Sequence, residues 1–89
     1  MELEWDPQKA TRNERDHRVS FEEARESFRD FHAVELIDDD NSDRETRFIR
    51  IGLCGMRLLY VVYTMNGDRY RIIHARKADK QMEKLYEAG

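Results

Sequence analysis

Arginine, lysine, tyrosine and histidine crowd the second half of this chain. Arg69, Arg71, Arg76 and Lys77 form the densest basic cluster, preceded by Arg44, Arg47, Arg50 and Arg57 and interleaved with Tyr60, Tyr63, Tyr70 and Tyr86. A guanidinium is a planar fork of donors suited to bidentate contact with phosphate, while tyrosine offers a stacking face and a hydroxyl. The competing reading is a solvated sheet face salt-bridged to acidic residues, the ordinary state of surface charge. His74, between Arg71 and Arg76, suits proton transfer, or equally a satisfied core position. No nucleophile elbow, glycine-rich phosphate loop, catalytic carboxylate pair or dinucleotide fingerprint accompanies these residues. The inventory suits metal-free RNA cleavage, in which the substrate's own 2′-OH attacks the neighbouring phosphate. The protein then positions the strand, moves protons and stabilises charge on the phosphoryl oxygens. No cofactor is called for.

Two metal readings are weaker. Asp38 to Asp43 offers alternating oxygens, but an EF-hand loop starting at Asp38 needs glycine sixth and glutamate twelfth, where Asp43 and Ile49 stand. His17, His32 and His74 lack zinc spacing, and Cys54 is the only cysteine. His17 suits the C-terminus of a first helix, where a partly cationic imidazole complements the dipole.

The elements that must position these side chains belong to a short, highly charged chain. Its 89 residues fit one domain over 1–89, and 39% charged with 39% hydrophobic residues describes a packed core under an ionised surface. The net charge of -3 conceals an asymmetry. Residues 1–43 hold six Lys/Arg and fourteen Asp/Glu, whereas residues 44–89 hold ten and five. Phosphate responds to the local field of a face rather than to the total. A lone thiol, an acidic rather than basic start at Met1-Glu2-Leu3-Glu4, and a longest uncharged run of only Leu58 to Gly67 point to a cytoplasmic protein with no membrane span.

Leu3 to Trp5 is a candidate strand, and Asp6-Pro7 opens a helix over 7–17. Ser20-Phe21-Glu22-Glu23 is a capping box leading into a second helix whose Phe21, Ala24, Phe28 and Phe31 form one apolar face. Strands are expected over 33–37, 44–53, 57–65 and 68–75, and a last helix over 77–88 with Ala78, Met82 and Leu85 on one stripe. The fold class is α+β, in the order β-α-α-β-β-β-β-α, with helices on an antiparallel sheet.

Asn66-Gly67 is a strong hairpin signal. Flanked by Met65 and Asp68, it pairs Tyr63 with Tyr70, Val61 with Ile72 and Leu59 with His74 on one face. The other, basic face then holds Thr64 with Arg69, Val62 with Arg71 and Tyr60 with Ile73. Tyr63, His74 and Arg76 thus fall opposite Arg69 and Arg71, so the set meets only near strand ends or through sheet twist. An odd-length turn after Leu53 would put Ile49 and Ile51 on the apolar face and Arg50 beside Tyr60; a slip of one residue would exchange them.

Several stretches resemble the BrnT toxins of bacterial and archaeal type II toxin–antitoxin systems. They are Glu4-Trp5-Asp6-Pro7 with Lys9, His17 followed by Val19-Ser20-Phe21-Glu22-Glu23-Ala24, Arg47-Phe48-Ile49, Ile51-Gly52, Arg57-Leu58-Leu59, Val61-Val62-Tyr63-Thr64, Gly67-Asp68, and Arg71-Ile72-Ile73 leading into Ala75-Arg76-Lys77-Ala78. The resemblance implies a RelE-like fold, RNA cleavage that halts translation, and neutralisation by a BrnA-type ribbon-helix-helix antitoxin, through which the complex contacts operator DNA. The chain departs from the family pattern at Asp16, where lysine is usual, at Arg18, often glycine, and at His74, commonly serine. On this reading Arg47, Arg71 and Arg76 bind the scissile phosphate, His74, Tyr63 or Tyr86 moves protons, and Arg50, Arg57, Arg69 and Lys77 steer RNA. The alternative is an inactive homologue serving as a binding module and corepressor with its antitoxin.

Overall fold

The computed structural model describes Glu2–Gly89. Five strands form one sheet in the order β1-β5-β4-β3-β2, where β1 is Glu2–Glu4, β2 Val34–Ile37, β3 Phe48–Cys54, β4 Arg57–Asn66 and β5 Arg69–Lys77. Helices α1 (Pro7–His17) and α2 (Phe21–Glu26) follow β1, and α3 (Lys80–Ala88) follows β5. The sheet is mixed rather than wholly antiparallel. β1 runs parallel to β5, because α1 and α2 must return the chain across the sheet before the antiparallel meander begins.

Local chemistry sets the helix starts. The Asp6 carboxylate accepts the Gln8 N–H, with Pro7 in the first turn, and Ser20 and Glu23 close a reciprocal capping box. α2 is shorter than its periodicity suggests. It tightens into a 3₁₀ turn at Ser27–Arg29, which keeps Phe28 in the core but turns Phe31 fully out to solvent, correcting its expected place on the apolar face. α3 also starts later than expected, at Lys80 behind an Asp79 cap, because β5 continues through Lys77. β3 begins only at Phe48: residues 38–47 form a closed loop in which the Ser42 hydroxyl donates to Asp38 O and accepts from Arg47 N–H.

Both hairpin registers differ from expectation, and the difference decides which side chains meet. The β4–β5 loop is Gly67-Asp68, with positive φ at Gly67 alone, so Asn66 is the last strand residue and pairs with Arg69. This is the glycine-first requirement of a II′-type turn rather than the Asn-Gly pattern of a I′ turn. Beyond Tyr63–Ile72, β5 bulges by one residue at Ile73, so Val62 pairs with His74, Val61 with Ala75 and Tyr60 with Arg76. The β3–β4 turn is even-numbered, Gly55-Met56, which pairs Arg50 with Val61 and Ile51 with Tyr60. Arg50 therefore faces the helices, while Ile49 and Ile51 share the other face with Tyr60 and Val62.

The core lies between the sheet and α1–α2, built from Val19, Phe21, Ala24, Phe28, Leu59, Val61, Tyr63, Ile72 and Ala75. The two charge halves of the sequence interleave rather than separate. Glu23 pairs with Arg57, Glu35 with Arg50, and Glu2 and Glu4 with Arg69 and Arg71.

Candidate active site

The Ile73 bulge changes the side-chain alternation of β5. Arg71, His74 and Arg76 consequently stand on one face, beside Thr64, Val62 and Tyr60 of β4. That face is the one opposite the helix-covered core. This corrects the expected separation of His74 and Arg76 from Arg71. β1 ends at Glu4, opposite Arg71, which leaves the farther edge of β5 without a strand partner. The buried Asn13 of α1 replaces one: its Oδ1 accepts the Ala75 N–H at 3.0 Å, and its Nδ2 donates to Ala75 O and Val19 O at 2.8 and 2.9 Å. One side-chain amide thus satisfies a strand edge and fixes α1 against the bulge.

Two adjoining clefts result. One, about 300 Å³, is lined by Lys9, Glu45, Arg47, Thr64, Met65, Asn66, Arg71 and Ile73. The second, about 280 Å³, is lined by Lys9, Arg12, Asn13, Asp16, His17, Ile73 and His74. Lys9 and Ile73 belong to both, so the two form a continuous cation-rich groove between α1 and the outer face of β5.

In this groove the His74 ring meets His17 edge-on at 4.7 Å and Tyr60 at 6.5 Å. Burial, then the neighbouring His17 and Arg76, holds the His74 imidazole below its ordinary value, which keeps it neutral near pH 7. The Arg76 guanidinium stacks 4.2 Å above the Tyr60 ring. Arg71 faces Glu4 at 3.6 Å, and Arg69 reaches Glu2 and Glu4 at 3.3 and 3.6 Å. Arg47 makes no ion pair among the described residues. A groove with loosely engaged guanidiniums and a neutral imidazole can bind a phosphodiester and accept a proton.

Other sequence-selected residues lie elsewhere. Tyr63 is buried on the helix side, in ring contact with Phe28, Phe48 and Tyr70, and donates to Glu35 at 2.7 Å. Burial and that carboxylate hold its phenol far above the ordinary range. Arg50 lies on the same side, donating to Ser27 O at 2.9 Å, Asp30 O at 3.0 Å and Glu35. Arg57 bonds Glu23 and the Arg18 carbonyl. Tyr86 donates to Asp30 at 2.6 Å, which raises its phenol to about 12; with Lys77 it lines a separate hollow beside Leu53, Met56 and Leu58.

Lys9, Arg12, Asn13, His17 and Thr64 line the groove in addition to the residues that the sequence pattern points to. Lys9 and Thr64 do fall within the stretches that carry the BrnT resemblance, whereas nothing in the sequence marks Asn13 as a strand surrogate. Among the described residues no three His, Cys, Asp or Glu side chains group as metal ligands would, and no helix is long and apolar enough to cross a membrane. A family model described as ribonuclease toxin, BrnT, of type II toxin–antitoxin system matches residues 5–81. No curated protein matches the chain.

Proposed function

The chain belongs to the BrnT family of ribonuclease toxins of type II toxin–antitoxin systems, and on that premise we propose that the groove between α1 and β5 cuts RNA without a metal ion. The observation carrying the reading is the Ile73 bulge, through which Arg71, His74 and Arg76 share a face. In the proposed step, neutral His74 takes the proton from a ribose 2′-OH as that oxygen bonds to the adjacent phosphorus. The bond from phosphorus to the 5′-oxygen breaks, and His17 donates a proton to the departing oxygen. The products are a 2′,3′-cyclic phosphate and a 5′-hydroxyl. Arg47 and Arg71 stabilise the charge gathering on the phosphoryl oxygens, the term that usually dominates such catalysis. Arg76, held by Tyr60, supplies positive potential beside His74, while Arg69 guides the strand.

The fold is read as RelE-like, and the biological outcome as arrest of translation in the cytoplasm through RNA cleavage. A BrnA-type ribbon-helix-helix antitoxin neutralises the toxin and carries the complex to operator DNA. Purified protein, freed of antitoxin and incubated with single-stranded RNA in chelator, is expected to release fragments with cyclic phosphate ends. Intact RNA there, with normal growth on expression, overturns the reading in favour of an inactive binding module. Cleavage only after a divalent ion is restored overturns its metal independence.

A further inference from the structure

We infer that Thr64 is a phosphate-binding residue: its hydroxyl, with Lys9, Arg47 and Arg71, forms a subsite for one phosphodiester of the RNA strand. The inference rests on the proposed reading of this groove and adds to it a donor on the central strand. Thr64 is 1% exposed, and its Oγ1 is the only buried side-chain polar atom without a hydrogen-bond partner among the described residues. Such a group destabilises a fold unless it serves something else. Packing alone does not ask for it, since the preceding outward position on β4 holds Val62, which has the same branched shape and no hydroxyl.

The surroundings identify what a donor here would meet. Thr64 pairs across the ladder with Arg71 and lines the cleft that Arg47 enters from the start of β3 and Lys9 from α1. The acids that face the same space are Glu45 in the lining and Glu4, whose carboxylate lies 3.6 Å from Arg71 and 3.0 Å from Asn66 Nδ2. A phosphodiester would displace Glu4 from Arg71, drawing the long guanidinium across the cleft and bringing a phosphoryl oxygen to the hydroxyl beneath. The arginines and Lys9 supply charge from flexible stems. Thr64, rigid on a central strand, supplies register.

The test pairs Thr64→Val with Thr64→Ser. The probe is a short single-stranded oligonucleotide carrying 2′-O-methyl groups, which binds but cannot be cut through the 2′ oxygen. Thr64→Val is expected to melt at or above the wild-type temperature while binding the probe about tenfold more weakly, and Thr64→Ser to bind as wild type does. Wild-type affinity in Thr64→Val would show that the hydroxyl serves only water or packing, and would overturn the inference. So would a weakened Thr64→Ser, or no probe binding by the wild type. If wild type binds the probe but leaves natural RNA intact, the ribonuclease reading fails while the phosphate subsite is still decided by the two variants.

Discussion

The two faces of the sheet use the same residue types in opposite ways. On the helix-covered face, Arg50 saturates its guanidinium on three carbonyls of the 3₁₀ region and on Glu35, and Tyr63 donates its hydroxyl to that same carboxylate. On the outer face of β5, the exposed guanidiniums of Arg71 and Arg69 meet exposed Glu2 and partly buried Glu4 at 3.3–3.6 Å, Arg76 lies on a ring, and the neighbouring Thr64 hydroxyl has no partner. Exposed ion pairs of that kind contribute about 0–1 kcal/mol. A basic residue satisfied by the fold belongs to stability, and one held loosely at a cleft is free for a ligand.

The largest expected effect is on the open face. Arg71→Ala should lower RNA cleavage about 100-fold, the usual loss when a charge-stabilising donor is removed, while moving stability by about 0.5 kcal/mol or less. Arg50→Ala should do the reverse: about 3 kcal/mol of stability lost in urea titration, with cleavage per folded molecule retained. Equal sensitivity of both assays to both variants would break the distinction between the faces. Next in size is the pH response of His74. Because its folded value lies below the ordinary 6.5, the unfolded chain binds a proton that the folded protein resists. Stability should therefore fall as pH drops below about 6.5, and His74→Gln should flatten that slope and abolish the acid-side fall in cleavage rate. Tyr63→Phe should cost about 1 kcal/mol and leave cleavage unchanged, sharpening the contrast with the groove.

The smallest change concerns Arg18, which ends α1 with φ 57° and ψ 31°. A side chain in the left-handed region is strained, and glycine relieves it. Arg18→Gly should stabilise the protein by about 1 kcal/mol, measured by thermal melting, because the Arg57 bond is to the Arg18 backbone carbonyl and survives. A glycine at this place would adopt the left-handed conformation without strain, whereas the arginine strains the backbone without altering the groove.

Local signals in the sequence reached the elements but not their faces. Asp6-Pro7, the Ser20 capping box and Gly67 each act within a few residues, so the first two helix starts and the existence of the last hairpin are legible, but not that hairpin's register or the start of α3 at Lys80. Side-chain facing depends on parity, and parity was set by two things composition does not encode: a two-residue turn at Gly55-Met56 and a bulge at Ile73. The bulge is held in place by Asn13, 62 residues from Ala75 in the chain. Arg71, His74 and Arg76 were selectable by type, but their meeting on one face was not. Arg50 and Tyr63 lie on the helix side, away from the proposed groove, a distinction that appears only once Glu35 and the 3₁₀ carbonyls are in position.

RNA cleavage by Arg71→Ala compared with wild type, both shown by melting to be equally folded, tests most directly whether the outer face of β5 is where RNA is cut. Loss of about 100-fold in rate at unchanged stability is the predicted result. A wild-type rate from the folded variant would contradict the assignment of the open face of β5 as the site of cleavage.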